Sequence, residues 1–437
     1  MRRWHTSGLW YSQWHDQQLC RAIVPTFKFQ AYGFRPQPVG EVLEAYYRRY
    51  LPQFFFHGCS YADLIKDAQF SAIRGKEDID LMADGLELVG RTFKPCVKAK
   101  QPPEHDEFTE KWLKANAADV SLYDMYRQTD PDLHTIWKDF QKYSKPDVYL
   151  EDRTLNKAYS FAVEHFFGFL SGCQIWDHDQ CINTWEPLSS NGLPWKLAIP
   201  LAKDFIPIYG PELPRLWDEF VAGGDPCVLW DVSPKYEIRS AEKIDQRKIR
   251  TFTAAPKHFT YIMQKLGADF NHRFYASHPF TWSKVGMSMF HNGWDGLIRD
   301  MLTYPCHLEL DGEQYDSSMR EKVQRLIARL RKVCMSSQYR GKFNPVIDRV
   351  YDEIIHGLCV LPGGYVFRKK NGNPSGSAYT TVDNTIHLYI LFAKVVIECF
   401  EEVGIAISYE DYNTNLIAAM YGDDNNVGMT EEWAKVL

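Results

Sequence analysis

Met420-Tyr421-Gly422-Asp423-Asp424-Asn425-Asn426 lies between the apolar run Leu416-Ile417-Ala418-Ala419-Met420 and the shorter Val427-Gly428-Met429. That order reads as a strand, a tight turn built on Gly and Asp, and a second strand. Two adjacent carboxylates at such a tip repel one another. A divalent cation between them removes the repulsion, and Mg²⁺ favours carboxylate and phosphate oxygens. The same residues also form plain solvated hairpin turns. The rest of the chain decides between the two.

Toward the N-terminus, Gly372-Asn373-Pro374-Ser375-Gly376-Ser377 is a loop of turn formers. From Thr380 the pattern is helical, with Val382, Ile386, Ile390, Ala393, Ile397 and Phe400 as its apolar stripe. Thr380 and Asn384 are four apart and share one face. A loop that opens onto a helix N-terminus presents free N–H groups, which suits a phosphate or a ribose. Further back, His307-Leu308-Glu309-Leu310-Asp311-Gly312-Glu313-Gln314-Tyr315-Asp316 reads as a short strand ending in a carboxylate, then a turn bearing a second one. Between Met319 and Cys334, Val323, Leu326, Ile327, Leu330 and Val333 recur at helical spacing, with Arg and Lys expected on the opposite face.

Lys235 to Phe252 is a basic run with six cations in 16 positions, Lys235 to Arg250. Ile238, Ile244 and Ile249 between them tie the run to a packed element, and Ile249 to Phe252 reads as strand. Such a run is either a solvated face or a rigid phosphate clamp, in which Arg gives bidentate contact and Lys a point charge. Ser189-Ser190-Asn191-Gly192-Leu193-Pro194-Trp195 is a loop whose small hydroxyl residues beside Gly can expose N–H groups to a phosphate backbone, or simply turn the chain.

At 437 residues the chain is two or three domains, or one multi-lobed enzyme. Hydrophobic content of 45% and charged content of 24% suit a globular protein with a sizeable core. The net charge of −6 gives no global pull on nucleic acid, so any such surface is a local basic patch. Ten cysteines are scattered from Cys20 to Cys399 with no secretory signal after Arg2 and Arg3, which predicts reduced thiols. The longest apolar run, about Leu388 to Phe400, is broken by Lys394 and Glu398, so no transmembrane helix is expected. Cys173, His178 and Cys181 have spacing that could feed a zinc site, but no fourth ligand is evident. Residues 1 to about 185 otherwise offer aromatics (Phe54-Phe55-Phe56, Trp112, Trp137, Phe166-Phe167) and breaks at Pro36, Pro38, Pro102, Pro103 and Pro131, with no internal repeat.

The pieces gain weight in order: basic patch, strand-end carboxylates, Ser-Gly loop with its helix, Gly-Asp-Asp hairpin. Asp311 to Ser375 spans 64 residues (375 − 311) and Ser375 to Asp423 spans 48 (423 − 375). In this arrangement the chain resembles the RNA-dependent RNA polymerases of positive-strand RNA viruses, in the picornavirus-like supergroup. Asp311-x4-Asp316 is similar to their palm motif A, Ser375-Gly376-x3-Thr380-x3-Asn384 to motif B, and Tyr421-Gly422-Asp423-Asp424 to motif C. Lys235-x3-Arg239-x3-Lys243-x4-Lys248-x-Arg250 is similar to the fingers motif F, and Ser189 to Pro194 to the template-entry motif G. Glu242-Lys243-Ile244, Ile249-Arg250-Thr251-Phe252 and Gly372 to Gly376 lean toward astrovirus-like members. The resemblance covers about residues 187 to 430.

The resemblance implies an α+β right-hand polymerase, with an antiparallel palm sheet backed by helices. An N-terminal extension and fingers would occupy residues 1–186. Fingers with the template-entry and NTP-channel motifs would follow over 187–300. The palm would fill 301–437, with a fingers insertion at about 335–370. It implies nucleotidyl transfer from NTPs to the 3′-hydroxyl of a growing RNA, with two Mg²⁺ ions (Mn²⁺ as the alternative) held by Asp311 and Asp423, Asp424 secondary. Asp316 and Asn384, with Ser375 and Thr380, would read the ribose 2′-hydroxyl, since Asp accepts and Asn both accepts and donates. Lys235, Arg239, Lys243, Lys248 and Arg250 would line the NTP channel, Lys243 and Arg250 nearest the triphosphate. Ser189, Ser190, Gly192, Pro194 and Gly376 would border the template. The implied partners are RNA template, primer or product strand, NTPs and other viral replication proteins. The implied place is the host cytoplasm, in membrane-associated replication complexes. Two alternatives stand beside this. A reverse transcriptase is disfavoured by the acid at Asp316, where those enzymes carry a bulky aromatic. The other is an inactive RNA-binding polymerase fragment. Only 13 residues follow Asp424 (437 − 424), so motif D, motif E and the thumb are expected to be missing, and no general acid can be named.

Overall fold

Three sheets carry the motifs in a computed structural model that describes residues 81–92, 107–116, 125–129, 131–146, 148–197 and 199–437. The readings at Cys20, Pro36, Pro38, Phe54 to Phe56, Pro102 and Pro103 lie outside the described residues. The largest sheet has five strands, in the order β1 (Leu86–Arg91), β8 (Tyr365–Lys369), β7 (Leu358–Val360), β3 (Leu229–Pro234) and β5 (Thr251–Ala254). All pairs are antiparallel except β3 with β7. Its inner strands are covered on both faces. They therefore read as near-continuous apolar runs, Leu358-Cys359-Val360 and Leu229-Trp230, rather than as alternation. A two-stranded ribbon pairs β2 (Tyr126–Gln128) with β4 (Ile238–Ser240).

The third sheet is antiparallel, in the order β6 (Cys306–Glu309), β10 (Asp424–Met429), β9 (Leu416–Tyr421). The hairpin expected around Gly422 is present, but its second strand starts at Asp424 rather than at Val427. Asn425 and Asn426 are poor strand formers. Pairing opposite Met420 and Ala419 on one side, and of Asn426 with Glu309 on the other, overrides that preference. The turn shrinks to Gly422 and Asp423. The outer edge of β9 is tied near its tip: Met420 N–H donates to the Trp282 carbonyl at 2.9 Å, and Lys284 N–H donates to the Met420 carbonyl at 2.8 Å.

Long helices back these sheets: α1 (Leu133–Phe140), α2 (Asp152–Leu170), α3 (Lys257–Ala276), α4 (Glu321–Cys334), α5 (Ser337–Ile355) and α6 (Thr380–Glu402). A capping box between Asp132 and Thr135 starts α1. The six stripe residues of α6 are all buried, and α6 packs along α2, α4 and β9. In α4, Val323, Ile327 and Leu330 are buried as expected. Arg331 departs from the expected polar face, being buried with 4% exposure. Its guanidinium meets Asp383 of α6 at 2.6 Å and Asn271 of α3 at 2.9 Å, and lies 4.0 Å from the Tyr379 ring centroid. Tyr351 of α5 donates to the second Asp383 oxygen at 2.7 Å. A charge at that depth requires such partners.

The basic run also departs from expectation. Its second strand is β5, starting at Thr251 rather than Ile249, and Ile238 is 70% exposed. Only Ile249 of the three isoleucines is buried; Ile244 is half-buried. The described cysteines form no disulfide with one another, and among the described residues no helix is long and apolar enough to cross a membrane. Cys173 Sγ donates to the Leu170 carbonyl at 2.9 Å, while His178 Nδ1 lies 3.2 Å from the Tyr261 hydroxyl; the two do not gather with Cys181 as a metal-binding group.

Candidate active site

Gly422 holds φ +66°, the left-handed value that a two-residue hairpin turn asks of its first central residue. Its N–H donates to Thr385 Oγ1 at 2.9 Å, which fixes the tip on the second turn of α6. On the other side the ladder with β6 brings Glu309 opposite Asn426, and Asn425 Nδ2 donates to the Leu310 carbonyl at 2.7 Å. Asp311 lies two residues past the end of that ladder, near enough to the hairpin tip for its charge to act on Asp423. Asp424 and Asp311 are exposed and Asp423 is half-buried. The Asp423 carboxyl is held above the usual carboxylate range, first by burial, then by the negative charges of Asp424, Asp316 and Asp311. The four acids therefore form one electrostatic group, drawn from the β9–β10 hairpin and from the segment that follows β6 into the short helix Tyr315–Ser318.

These oxygens suit a hard divalent cation. Among the described residues no three acid, His or Cys side chains close into a ready cage. Mg²⁺ does not require one: it is typically held by one or two carboxylates, with water and substrate phosphates completing its shell. The donor chemistry fits the ions expected at Asp311, Asp423 and Asp424.

Asp316 and Asn384 come together. Asn384 Nδ2 donates to Asp316 Oδ1 at 2.5 Å, and Asn373 Nδ2 donates to Asn384 Oδ1 at 3.1 Å. Beneath them Tyr315 donates to the Asn384 carbonyl at 3.2 Å and lies 2.9 Å from His387 Nδ1. Burial lowers the His387 pKa to about 3, so this imidazole is neutral. Thr380 is placed differently from Asn384. Its hydroxyl meets the Pro374 and Ser377 carbonyls, both at 3.0 Å, and so closes the loop that bears Ser375. Ser375 Oγ accepts from Thr253 N–H of β5 at 3.3 Å.

Gly376 lies against the same strand. Its N–H donates to the Thr253 carbonyl at 2.8 Å, and a Cβ there would stand 2.3 Å from that oxygen. This close approach, rather than a turn, is why position 376 is glycine. It couples the Ser375 loop to the strand that Arg250 precedes. Arg250 itself makes a two-pronged ion pair with Glu237 (2.8 and 2.6 Å), and this partner pulls the Glu237 carboxyl below its usual range. Arg239 donates to the Lys248 carbonyl at 2.9 Å. Lys235, Lys243 and Lys248 are exposed. The run is thus part internal brace and part exposed cation.

In the 189–195 loop, Ser190 is exposed and Ser189 half-buried, while Gly192 and Pro194 are buried. Gly192, at φ +64°, packs so closely on Ala255 that a Cβ would lie 2.5 Å from its carbonyl oxygen. Gly192 and Pro194 therefore shape the loop, and Ser190 is the residue that it presents. Lys257 donates to Ser189 Oγ at 2.8 Å. Asn373, Thr385, Tyr315 and His387 join the site without a sequence signal beyond their nearness to Ser375, Asn384 and Asp316.

A family model described as viral RNA-dependent RNA polymerase matches residues 100–437. The chain belongs to this family. Among curated relatives, the genome polyprotein of bean common mosaic necrosis virus (strain NL-3) is 30% identical over 323 residues, 71% of this chain and 10% of that protein. The genome polyprotein of watermelon mosaic virus II (isolate USA) is 31% identical over 308 residues, 68% of this chain and 29% of that protein. That of zucchini yellow mosaic virus (strain Singapore) is 34% identical over 212 residues, 47% of the chain and 6% of that protein. The chain thus spans between about a twentieth and a third of these relatives. The Sicinivirus 3Dpol RNA dependent RNA polymerase shares the fold, with a TM-score of 0.58 at 18% identity over 69% of this chain and 62% of that one. The α+β right-hand fold expected of the chain is the one it has. These matches support the positive-strand group; the three relatives just named are mosaic viruses rather than astroviruses.

Proposed function

We propose that this viral RNA-dependent RNA polymerase extends RNA on an RNA template, transferring nucleotidyl groups from NTPs to a strand's 3′-hydroxyl in replication of a viral genome. The observation that carries the reading is that Asp311 and Asp316, more than a hundred residues before the hairpin, act together with Asp424 on the Asp423 carboxyl at its tip. Asp311 and Asp423, with Asp424, would hold two divalent ions, Mg²⁺ or Mn²⁺. Bound there, such ions stabilise the attacking and leaving oxygens of the transfer. The chain's own residues do the rest. Gly422, fixed to Thr385, holds the acids in place. Asp316 and Asn384 bond the sugar hydroxyl, and a site built for a hydroxyl rejects a sugar that lacks it. Lys243 and Lys248 offer charge to the triphosphate. Arg250 contributes there once its contact with Glu237 opens. Ser190 and Gly376 face the template strand.

The three-stranded sheet with α6 corresponds in this reading to the palm, and the five-stranded sheet to the fingers. The partners are template and product RNA, NTPs and other viral replication proteins. The place of action is a membrane-associated replication complex in the host cytoplasm. Asp423→Asn tests the reading in primer extension with Mg²⁺. Incorporation is expected to fall by at least about a thousandfold, as for loss of a central electrostatic group, with the melting temperature kept or raised. Turnover within tenfold of the parent would overturn the assignment.

A further inference from the structure

We propose that Asn373 is a positioning residue for sugar selection: it holds the Oδ1 end of the Asn384 amide, whose other end bonds Asp316, and so fixes how that amide is presented to the ribose. The proposal rests on the assignment of Asp316 and Asn384 to sugar recognition made above. Asn384 turns its NH₂ toward Asp316 and donates to Oδ1 at 2.5 Å, a carboxylate being an acceptor only. That leaves Asn384 Oδ1 pointing away, on a residue only 5% exposed. A buried acceptor there needs a donor. Asn373 Nδ2 supplies it at 3.1 Å.

The main chain of Asn373 is itself held. The residue is 1% exposed, its N–H donates to the Asp316 carbonyl at 2.7 Å, and the Tyr143 hydroxyl donates to its carbonyl at 3.4 Å. The preceding residue is pinned as well: buried Lys369 donates to the Gly372 carbonyl at 2.8 Å, and to the carbonyls of Ile354 and Ile355 that end α5. Polarity therefore runs one way, from Asn373 through Asn384 to Asp316. Rotating the Asn384 amide by half a turn would set oxygen against carboxylate at one end and NH₂ against NH₂ at the other. Removing the Asn373 donor unlocks one end. The 2′-hydroxyl then meets an amide held at its Asp316 end alone, and the penalty on a sugar without that hydroxyl shrinks.

The test compares the parent polymerase with Asn373→Leu, Asn373→Asp, Asn384→Ala and the double variant Asn373→Leu/Asn384→Ala. ATP and dATP are compared twice: by kcat/KM for incorporation opposite template U with Mg²⁺, and by equilibrium binding. Asn373→Leu is expected to lower the ATP-over-dATP ratio about tenfold, the worth of one buried hydrogen bond, mainly through loss of ATP. Asn373→Asp, which opposes Asn384 Oδ1 with a carboxylate, lowers it at least as far. Because Asn373 acts through Asn384, the double variant has the ratio of Asn384→Ala alone. The proposal is overturned if Asn384→Ala lowers the ratio while both Asn373 variants keep it. It is also overturned if Asn373→Leu weakens ATP and dATP alike, the mark of a merely structural role. An unchanged ratio in Asn384→Ala overturns the sugar-reading assignment itself, and this proposal with it. If Asn373→Leu melts below the assay temperature, Asn373→Ala takes its place with the same outcomes.

Discussion

At the scale of single residues, two glycines near the acids differ in what they tolerate. Gly422 has open space around its missing Cβ, but its φ of +66° strains any other residue, so Gly422→Ala costs about 1–2 kcal/mol of stability. Gly376 has an ordinary φ and no space, since the obstructing atoms are the Thr253 carbonyl and Ala254 Cα, backbone that cannot swing aside. Gly376→Ala is expected to push the Ser375 loop off β5. A shift of about 1 Å at a reacting centre can lower the rate about a hundredfold. Primer-extension kcat/KM should therefore fall far more in Gly376→Ala than its melting temperature suggests. A variant with parental kcat/KM would show that the loop needs no such contact. Of the residues gathered here, Asp311, Asp316, Ser375, Asn384, Asp423 and Asp424 were legible because their types and spacing form a recurring pattern. Asn373 was not, because a turn-forming Asn beside Pro looks the same whether or not its amide is used.

At the scale of elements, α6 is the part that aligns the rest. It supplies Asn384 to the sugar side and Thr385 to the hairpin, and Asp383 between them is anchored to Arg331. Burial raises the Asp383 carboxyl, while the Arg331 guanidinium and the Tyr351 hydroxyl pull it down. Replacing Arg331 by Met leaves that carboxylate buried without its counter-ion, a loss of about 3–5 kcal/mol. Denaturant unfolding of Arg331→Met should show it, and Arg331→Met/Asp383→Leu should recover a good part. Equal stability of the single variant and the parent would argue that Asp383 is already neutral. Periodicity made α6 legible, since all its stripe positions point inward. The same method misplaced Arg331, because a helical wheel assigns charge to solvent and cannot see an acid arriving from another helix. Propensity likewise misplaced the start of β10, where pairing on both sides outweighs two asparagines.

At the scale of the whole molecule, three imidazoles among the described residues are sealed in the core. Burial lowers the pKa of His165 to about 3, of His258 to about 4 and of His387 to about 3. In the unfolded chain each binds a proton below about pH 6.5. Between about pH 4 and 6.5 the unfolded state thus holds more protons, and stability rises with pH through that window. Each imidazole contributes at most about 1.4 kcal/mol per pH unit there. Thermal melts from pH 4 to 8 should show a steep fall on acidification below about 6.5, softened by replacing His387 with Gln. A flat profile would mean that these rings are charged in the core. Finally, the outermost strand of the large sheet is made long before its neighbour: Leu86 of β1 pairs with Lys369 of β8, 283 positions later (369 − 86). At about 5–20 residues per second a ribosome needs roughly a quarter of a minute to a minute to cover that distance. Through that interval β8 is still untranslated, so the nascent β1 lacks the mate it has in the finished sheet, which favours chaperone escort until that late-arriving strand is made.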